Sequence, residues 1–146
     1  MRDERKTGAQ PGAASAPPTA AGRRRIGILV VAYNAESTLA ATLDRIPAEF
    51  RSKIDEILVF DDASDDKTVE VALRWRDAND ETPTTIVRHL KNLGYGGNQK
   101  AGYQLAKHGL DIVVLLHGDG QYAPQCLPDM VGRSNAARPT RCSARE

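Results

Sequence analysis

Apolar residues in this chain fall in short blocks separated by amphipathic stretches. Ile26-Gly27-Ile28-Leu29-Val30-Val31-Ala32 is apolar throughout, the pattern of a strand covered on both faces. Glu56-Ile57-Leu58-Val59-Phe60 and Asp111–Leu116 repeat it, and Thr84-Thr85-Ile86-Val87-Arg88 is a β-branched run that reads as a further strand. Helical spacing fills the gaps. Leu39, Leu43, Ile46 and Phe50 predict a helix from about Glu36, which Pro47 ends or kinks. A second helix starts at Ser64 or Asp65 with Val69, Ala72, Leu73 and the stem of Arg76 inward, which leaves Trp75 at a rim. Gly94-Tyr95-Gly96-Gly97 predicts a flexible turn into a third helix over Asn98–Lys107, faced by Ala101 and Leu105 and stopped by Gly109.

The order β-α-β-α-β-α-β implies an α/β fold, a parallel β-sheet with right-handed crossovers and flanking helices. A strand order of 3-2-1-4 is expected, with its switch point between the first and fourth strands. Three strands run straight into polar residues: Tyr33-Asn34-Ala35-Glu36, Asp61-Asp62 and His117-Gly118-Asp119-Gly120-Gln121. Open α/β sheets bind ligands at the carboxyl ends of their strands, so these loops are where chemistry is expected.

The 146 residues amount to one domain. Residues 1–25 are rich in Ala, Pro, Gly and Arg without periodicity and read as a disordered basic leader, and residues 132–146 as an unstructured tail. The remainder, 26–131, is lean for a complete α/β enzyme. Net charge is +4 in the leader, −6 in the middle and +3 in the tail. An acidic middle argues against nucleic acid as a main partner and suits a polyanion bridged by a cation. No stretch approaches the ~20 apolar residues of a membrane span. The run after Arg23-Arg24-Arg25 is too short to favour a signal peptide over a buried strand. Cys126 and Cys142 lack metal-ligand spacing and read as ordinary thiols of a reducing compartment, hence of a cytoplasmic chain.

The densest acidic cluster is Asp61-Asp62-Ala63-Ser64-Asp65-Asp66. Alternation at the strand end aims one of Asp61 and Asp62 into a crevice, to accept from a ribose hydroxyl or a base N–H, while the other supports the turn. Asp65 and Asp66 read as helix-capping residues. In His117-x-Asp119-x-Gln121, alternate residues of an extended segment face one way and could share a cation; the oxygens suit magnesium or manganese, and the imidazole leans toward manganese or a heavier metal. Tyr33 could flank a nucleobase, and Glu36 either takes a ligand donor or sits in the first turn of its helix. The glycine-rich Gly94–Asn98 stretch has Gln99 at the last position of a G-x-G-x-x-G pattern and no Gly-Lys-Ser/Thr, which weakens a dinucleotide or phosphate-loop reading and leaves a turn that lets the helix N-terminus approach an anion. Lys100 beyond it is a candidate diphosphate partner. His89 and His108 read as surface residues.

Val30–Glu36, Val59–Thr68, Asn92–Asn98 and His117–Pro124, taken together and in this order, resemble the inverting family 2 glycosyltransferases, most nearly the dolichyl- or polyprenyl-phosphate sugar synthases. The resemblance covers residues 26–131. It implies part of a Rossmann-like GT-A domain that binds a nucleotide-diphosphate sugar with a divalent cation, Mg2+ or Mn2+, and an acceptor such as a polyprenyl phosphate or a saccharide, with peripheral attachment at the inner face of a membrane open. Tyr33, Glu36 and Asp62 would match nucleoside contacts, and Asp119 the second Asp of an Asp-x-Asp metal motif, with Gln121 the polar residue after it. His117 stands in place of the first Asp, and Ala32 where many members have Pro. Candidate nucleotide-binding residues are therefore Ala32, Tyr33, Glu36, Asp61, Asp62 and Lys100, and candidate metal ligands His117, Asp119 and Gln121. The family's catalytic base lies in the second half of the domain, so this chain reads as a truncated, donor-binding part. The alternatives are a non-catalytic nucleotide-sugar-binding fragment and a nucleotidyltransferase or dinucleotide enzyme of similar architecture.

Overall fold

Four parallel strands form one sheet in the order β3-β2-β1-β4. They span Ile26–Ala32 (β1), Glu56–Asp61 (β2), Thr84–Arg88 (β3) and Ile112–His117 (β4). The computed structural model describes residues 22–134. Leu39–Asp44 (α1), Ala48–Arg51 (α2), Thr68–Ala78 (α3) and Gly94–Ala106 (α4) connect the strands, and a 3-10 turn at Pro124–Cys126 leads into Leu127–Ser134 (α5).

Strand alternation builds two apolar layers. Ile28, Val30, Ile57, Val59, Val114 and Leu116 face α1, α3 and α5, packing with Leu39, Leu43, Trp75 and Leu127. Leu29, Val31, Leu58 and Phe60 face the other way, toward Ala106 and Ala101 of α4. Register sets Val31 opposite both Phe60 and His117, and Ala32 opposite Asp61. The polar loops after β1, β2 and β4 therefore leave the sheet at one level.

Several helices differ from expectation, each for a local reason. The first is split: α1 starts at Leu39, and Pro47 ends the stretch and opens the short α2. The second starts at Thr68, because Asp66 accepts the Thr68 N–H and hydroxyl and fixes the turn there. Its inner face is Thr68, Ala72 and Trp75 with Val71, one position off the expected stripe. Trp75 is thus buried, not at a rim; its indole N–H donates to Asp44 at 2.8 Å, which lets the whole ring enter the core. The third expected helix, α4, begins at Gly94 rather than Asn98 because Asp62 takes the Leu93 N–H and Asn92 the Gly94 N–H. Its buried face is Asn98, Gly102 and Ala106, and Leu105 is exposed. Gly102 lies so close to β1 that a Cβ there would collide with the Leu29 side chain.

At the ends, Arg23 pairs with Asp55, and the Arg25 N–H donates to Asp111, so the chain is engaged with the sheet before β1. Helix α5 continues past Val131 to Ser134, with Leu127 and Val131 buried. Residues 1–21 of the leader, residues 135–146 of the tail and Cys142 lie outside the described residues; Cys126 is half-buried in the 3-10 turn. Among the described residues no helix is long and apolar enough to cross a membrane.

Candidate functional site

A cleft of about 320 Å³ opens at the carboxyl ends of β1, β2 and β4, on the α4 side of the sheet. It lies at the β1/β4 switch point, and Ala32, Tyr33, Asp62, His117 and Asp119 all line it. Three residues separated by long stretches of chain, Tyr33, Asp62 and Asp119, thus open onto one space. Glu36, Asp61, Lys100 and Gln121 do not line it: Lys100 is exposed on α4, and Glu36 and Gln121 are exposed in their loops.

The two neighbouring aspartates divide their work. Asp61 is 1% exposed, accepts the Ser64 N–H and hydroxyl, and stands 3.6 Å from the Arg88 guanidinium. Those partners satisfy a buried charge and hold the turn. Asp62 faces the cleft, where one carboxylate oxygen accepts the Leu93 N–H at 2.6 Å and its carbonyl accepts from Asn92. An acid is therefore already seated at the start of α4, where the helix dipole favours it.

The floor is made by the loops after β1 and β2, which are bound to each other. Asn34 and Ala63 both take left-handed backbone conformations, at φ 48° and 59°, unusual away from glycine. Five hydrogen bonds cross between the loops: Asn34 N–H to Ser64, Ala35 N–H to Thr68, Glu36 N–H to Asp66, Asp65 N–H to Asn34 and Lys67 N–H to Glu36. Glu36 thus serves the loop pair rather than the cleft.

At the other side, β4 ends at His117. Gly118-Asp119-Gly120 then turns, with Gly120 at φ 78° and its N–H directed back to the His117 carbonyl. The alternation that would aim His117, Asp119 and Gln121 one way holds only in an extended segment, so Gln121 leaves the cleft while His117 and Asp119 both line it. The Gln121 N–H donates to the Asp119 carboxylate. His117 Nε2 pairs with the Tyr95 hydroxyl at 2.7 Å, and its ring lies between those of Tyr95 and Tyr122. Burial lowers the His117 pKa, against the pull of Asp119, which favours the neutral ring.

Two residues given no role from the sequence support this wall. Asn98, buried inside α4, donates to the Phe60 carbonyl and pairs with His89 Nε2, each at 2.9 Å. His89, expected at the surface, is half-buried, with its ring against Phe60. An asparagine one helical turn past a glycine-rich start was the available signal.

The donor set fits a cation only of one kind. Among the described residues no three His, Cys, Asp or Glu cluster to hold a metal. Asp119 offers one carboxylate to the cleft, and a Mg2+ or Mn2+ that arrives with a diphosphate needs only one or two protein carboxylates.

A parallel sheet in this order, with an acidic cleft at its switch point, has the architecture of the ligand-binding α/β proteins that include nucleotide-dependent enzymes. The family profile of "Glycosyl transferase family 2" matches residues 27–140, and the chain belongs to that family. It is 32% identical over 110 residues to an undecaprenyl-phosphate 4-deoxy-4-formamido-L-arabinose transferase of Aeromonas hydrophila, covering 73% of this chain and 32% of that protein. It is 25% identical over 107 residues to a dolichol-phosphate mannosyltransferase of Pyrococcus furiosus, covering 73% and 29%. A mannosyltransferase from Pyrobaculum calidifontis, solved in complex with GDP-Man and Mn2+, superposes with a TM-score of 0.58 at 26% identity, over 68% of this chain and 28% of that one. The chain spans about a third of the length of the curated relatives it matches.

Proposed function

We propose that the cleft binds the nucleotide-diphosphate sugar donor of an inverting, metal-assisted glycosyl transfer whose acceptor is a polyprenyl phosphate. The observation that carries this reading is the convergence of Tyr33, Asp62 and Asp119 on one cleft in a chain of this family. In the proposed complex the exposed Tyr33 ring flanks the base. Asp62 uses the oxygen not facing Leu93 to accept from the base or the ribose. Asp119 holds the divalent cation together with the diphosphate oxygens. That cation would offset the charge that develops on the leaving nucleotide.

Both cleft carboxylates, Asp62 and Asp119, are then assigned to the donor. A phosphate monoester is largely ionised near neutral pH, its second pKa being about 6, so a polyprenyl-phosphate oxygen attacks the anomeric carbon without first giving a proton to a protein base. The acceptor class is supported by the relatives, whose names specify undecaprenyl phosphate and dolichol phosphate. A lipid acceptor would be met at a membrane surface, on its cytoplasmic side in this reading.

Calorimetry on the 146-residue chain tests the reading, with UDP, GDP and NAD, each with and without Mn2+. A nucleoside diphosphate should bind more tightly with Mn2+, and Asp119→Asn should remove that gain, about tenfold for a lost 1.4 kcal/mol. Tight binding of NAD without metal, or a Mn2+ gain untouched in the Asp119→Asn variant, would falsify it.

A further inference from the structure

One face of α1 is polar where it meets the loop that carries Asp119. Thr38, Thr42 and Arg45 recur at helical spacing. The Thr38 hydroxyl donates to the Gly118 carbonyl at 2.7 Å, and Arg45 reaches the Gly120 carbonyl at 3.5 Å and Gln125 at 3.2 Å. Thr42 Oγ1 lies 3.4 Å from the place a Cβ on Gly120 would occupy. The carbonyls on both sides of Asp119 are thus held from one helix.

Thr38 is also the residue at the N-cap of α1, yet its side chain makes no capping hydrogen bond. Threonine at that position ordinarily caps its own helix, which contributes about 1 kcal/mol. Here the hydroxyl is committed to a loop 80 residues away in sequence. The hydroxyl proton thus links α1 to the loop of Asp119, which is exposed, lies on a short turn between two glycines, and is fixed within its own loop by the Gln121 N–H. That bond sets the carboxylate relative to the turn, and the turn is set relative to the cleft by α1.

We infer that Thr38, assisted by Arg45, is a positioning residue for the Asp119 carboxylate and so determines how strongly the cleft holds a divalent cation on a bound diphosphate. The inference rests on the donor-cleft reading above. The hydroxyl sits beyond the cleft lining, so it touches neither donor nor cation.

Two measurements on the full chain test it, comparing Thr38→Val, which keeps shape and loses the donor, with Thr38→Ser, which keeps the donor. The first is nucleoside-diphosphate affinity with and without Mn2+. Thr38→Val should lose about fivefold in the Mn2+-dependent gain, the equivalent of one hydrogen bond. Its metal-free affinity should stay within about twofold of wild type, a limit well below one hydrogen bond, and Thr38→Ser should retain the gain. Equal loss with and without metal would mean a general structural role and overturn the inference, as would a serine variant no better than valine.

The second is amide hydrogen exchange, which needs no ligand. Thr38→Val should speed exchange at Gly118 and Gln121 while Leu29 and Leu58 in the sheet stay protected; unchanged Gln121 exchange overturns the inference even if donor binding behaves as proposed. If wild type gains nothing from Mn2+ but the exchange pattern appears, the donor reading fails and the positioning of Asp119 by α1 stands.

Discussion

Replacing Asn98 by alanine tests how the α4 wall of the cleft is held to the sheet. The side chain is 2% exposed, and its amide bridges two elements, giving a proton to the Phe60 carbonyl and accepting from His89 Nε2. Because the amide oxygen can only accept, the His89 proton must sit on Nε2. Truncation removes both bonds and leaves the Phe60 carbonyl and the His89 ring each short of a partner. A hydrogen bond contributes about 0.5–1.5 kcal/mol net, and a buried group left without its partner costs about 1–3 kcal/mol. The expected loss is therefore about 2–4 kcal/mol, a large share of the roughly 5–15 kcal/mol that keeps a typical domain folded. Urea denaturation read by fluorescence is the assay. Trp75 is the only tryptophan in the chain and is buried, so unfolding exposes the single emitter. Lys100→Ala, exposed on the same helix, is the control and should stay within about 0.5 kcal/mol of wild type. An Asn98→Ala variant as stable as that control would refute the claim that this amide fastens α4 to β2.

Two further outcomes follow from the loops. Burial pushes the Asp66 carboxyl up, but the Thr68 hydroxyl and the Glu36 and Thr68 N–H groups outweigh it and hold the pKa below the ordinary 3.8. With the folded value the lower, the unfolded chain binds more protons as pH falls through that range; the Asp66 contribution is complete above the ordinary value and is lost on further acidification through the folded one. Asp66→Asn should lower the melting temperature near neutrality and flatten its fall in acid, and melting curves that keep the wild-type acid slope would contradict this. Gly118→Ala places a Cβ 3.1 Å from Ala32 Cβ and 3.3 Å from Leu39 Cδ1. Overpacking of that kind costs about 1–3 kcal/mol, and a urea midpoint equal to wild type would mean that Leu39 yields without strain.

Much of the architecture was legible because it depends on local pattern. Four apolar or β-branched runs separated by amphipathic stretches leave little but a parallel sheet, and the observed order of β3-β2-β1-β4 is the expected one. What local pattern misses is set by contacts from elsewhere in the chain. Thr68 reads as polar, yet it is fully buried because its hydroxyl serves the Ala35 N–H and Asp66, and that shifts the α3 stripe and draws Trp75 inward. Gly94–Gly97 reads as a turn, yet side chains of Asp62 and Asn92 supply the partners that start a helix there. The location of the site was legible for a similar reason, since topology fixes where strand ends meet. The direction of each side chain was not: whether Asp61 or Asp62 faces the cleft depends on Ser64 and Arg88, and whether His117 faces Asp119 depends on a turn two residues long and on Tyr95.

The five hydrogen bonds between residues 33–36 and 62–68 carry a consequence for protein engineering. Asn34 and Ser64 bind the opposite segment beside the two left-handed residues, so a loop sequence borrowed from a relative cannot be grafted one segment at a time. Swapped singly, either stretch would meet mismatched partners at the base of the cleft; exchanged as a matched pair, with Asp61 and Ser64 retained beneath them, they could travel between scaffolds as one cassette.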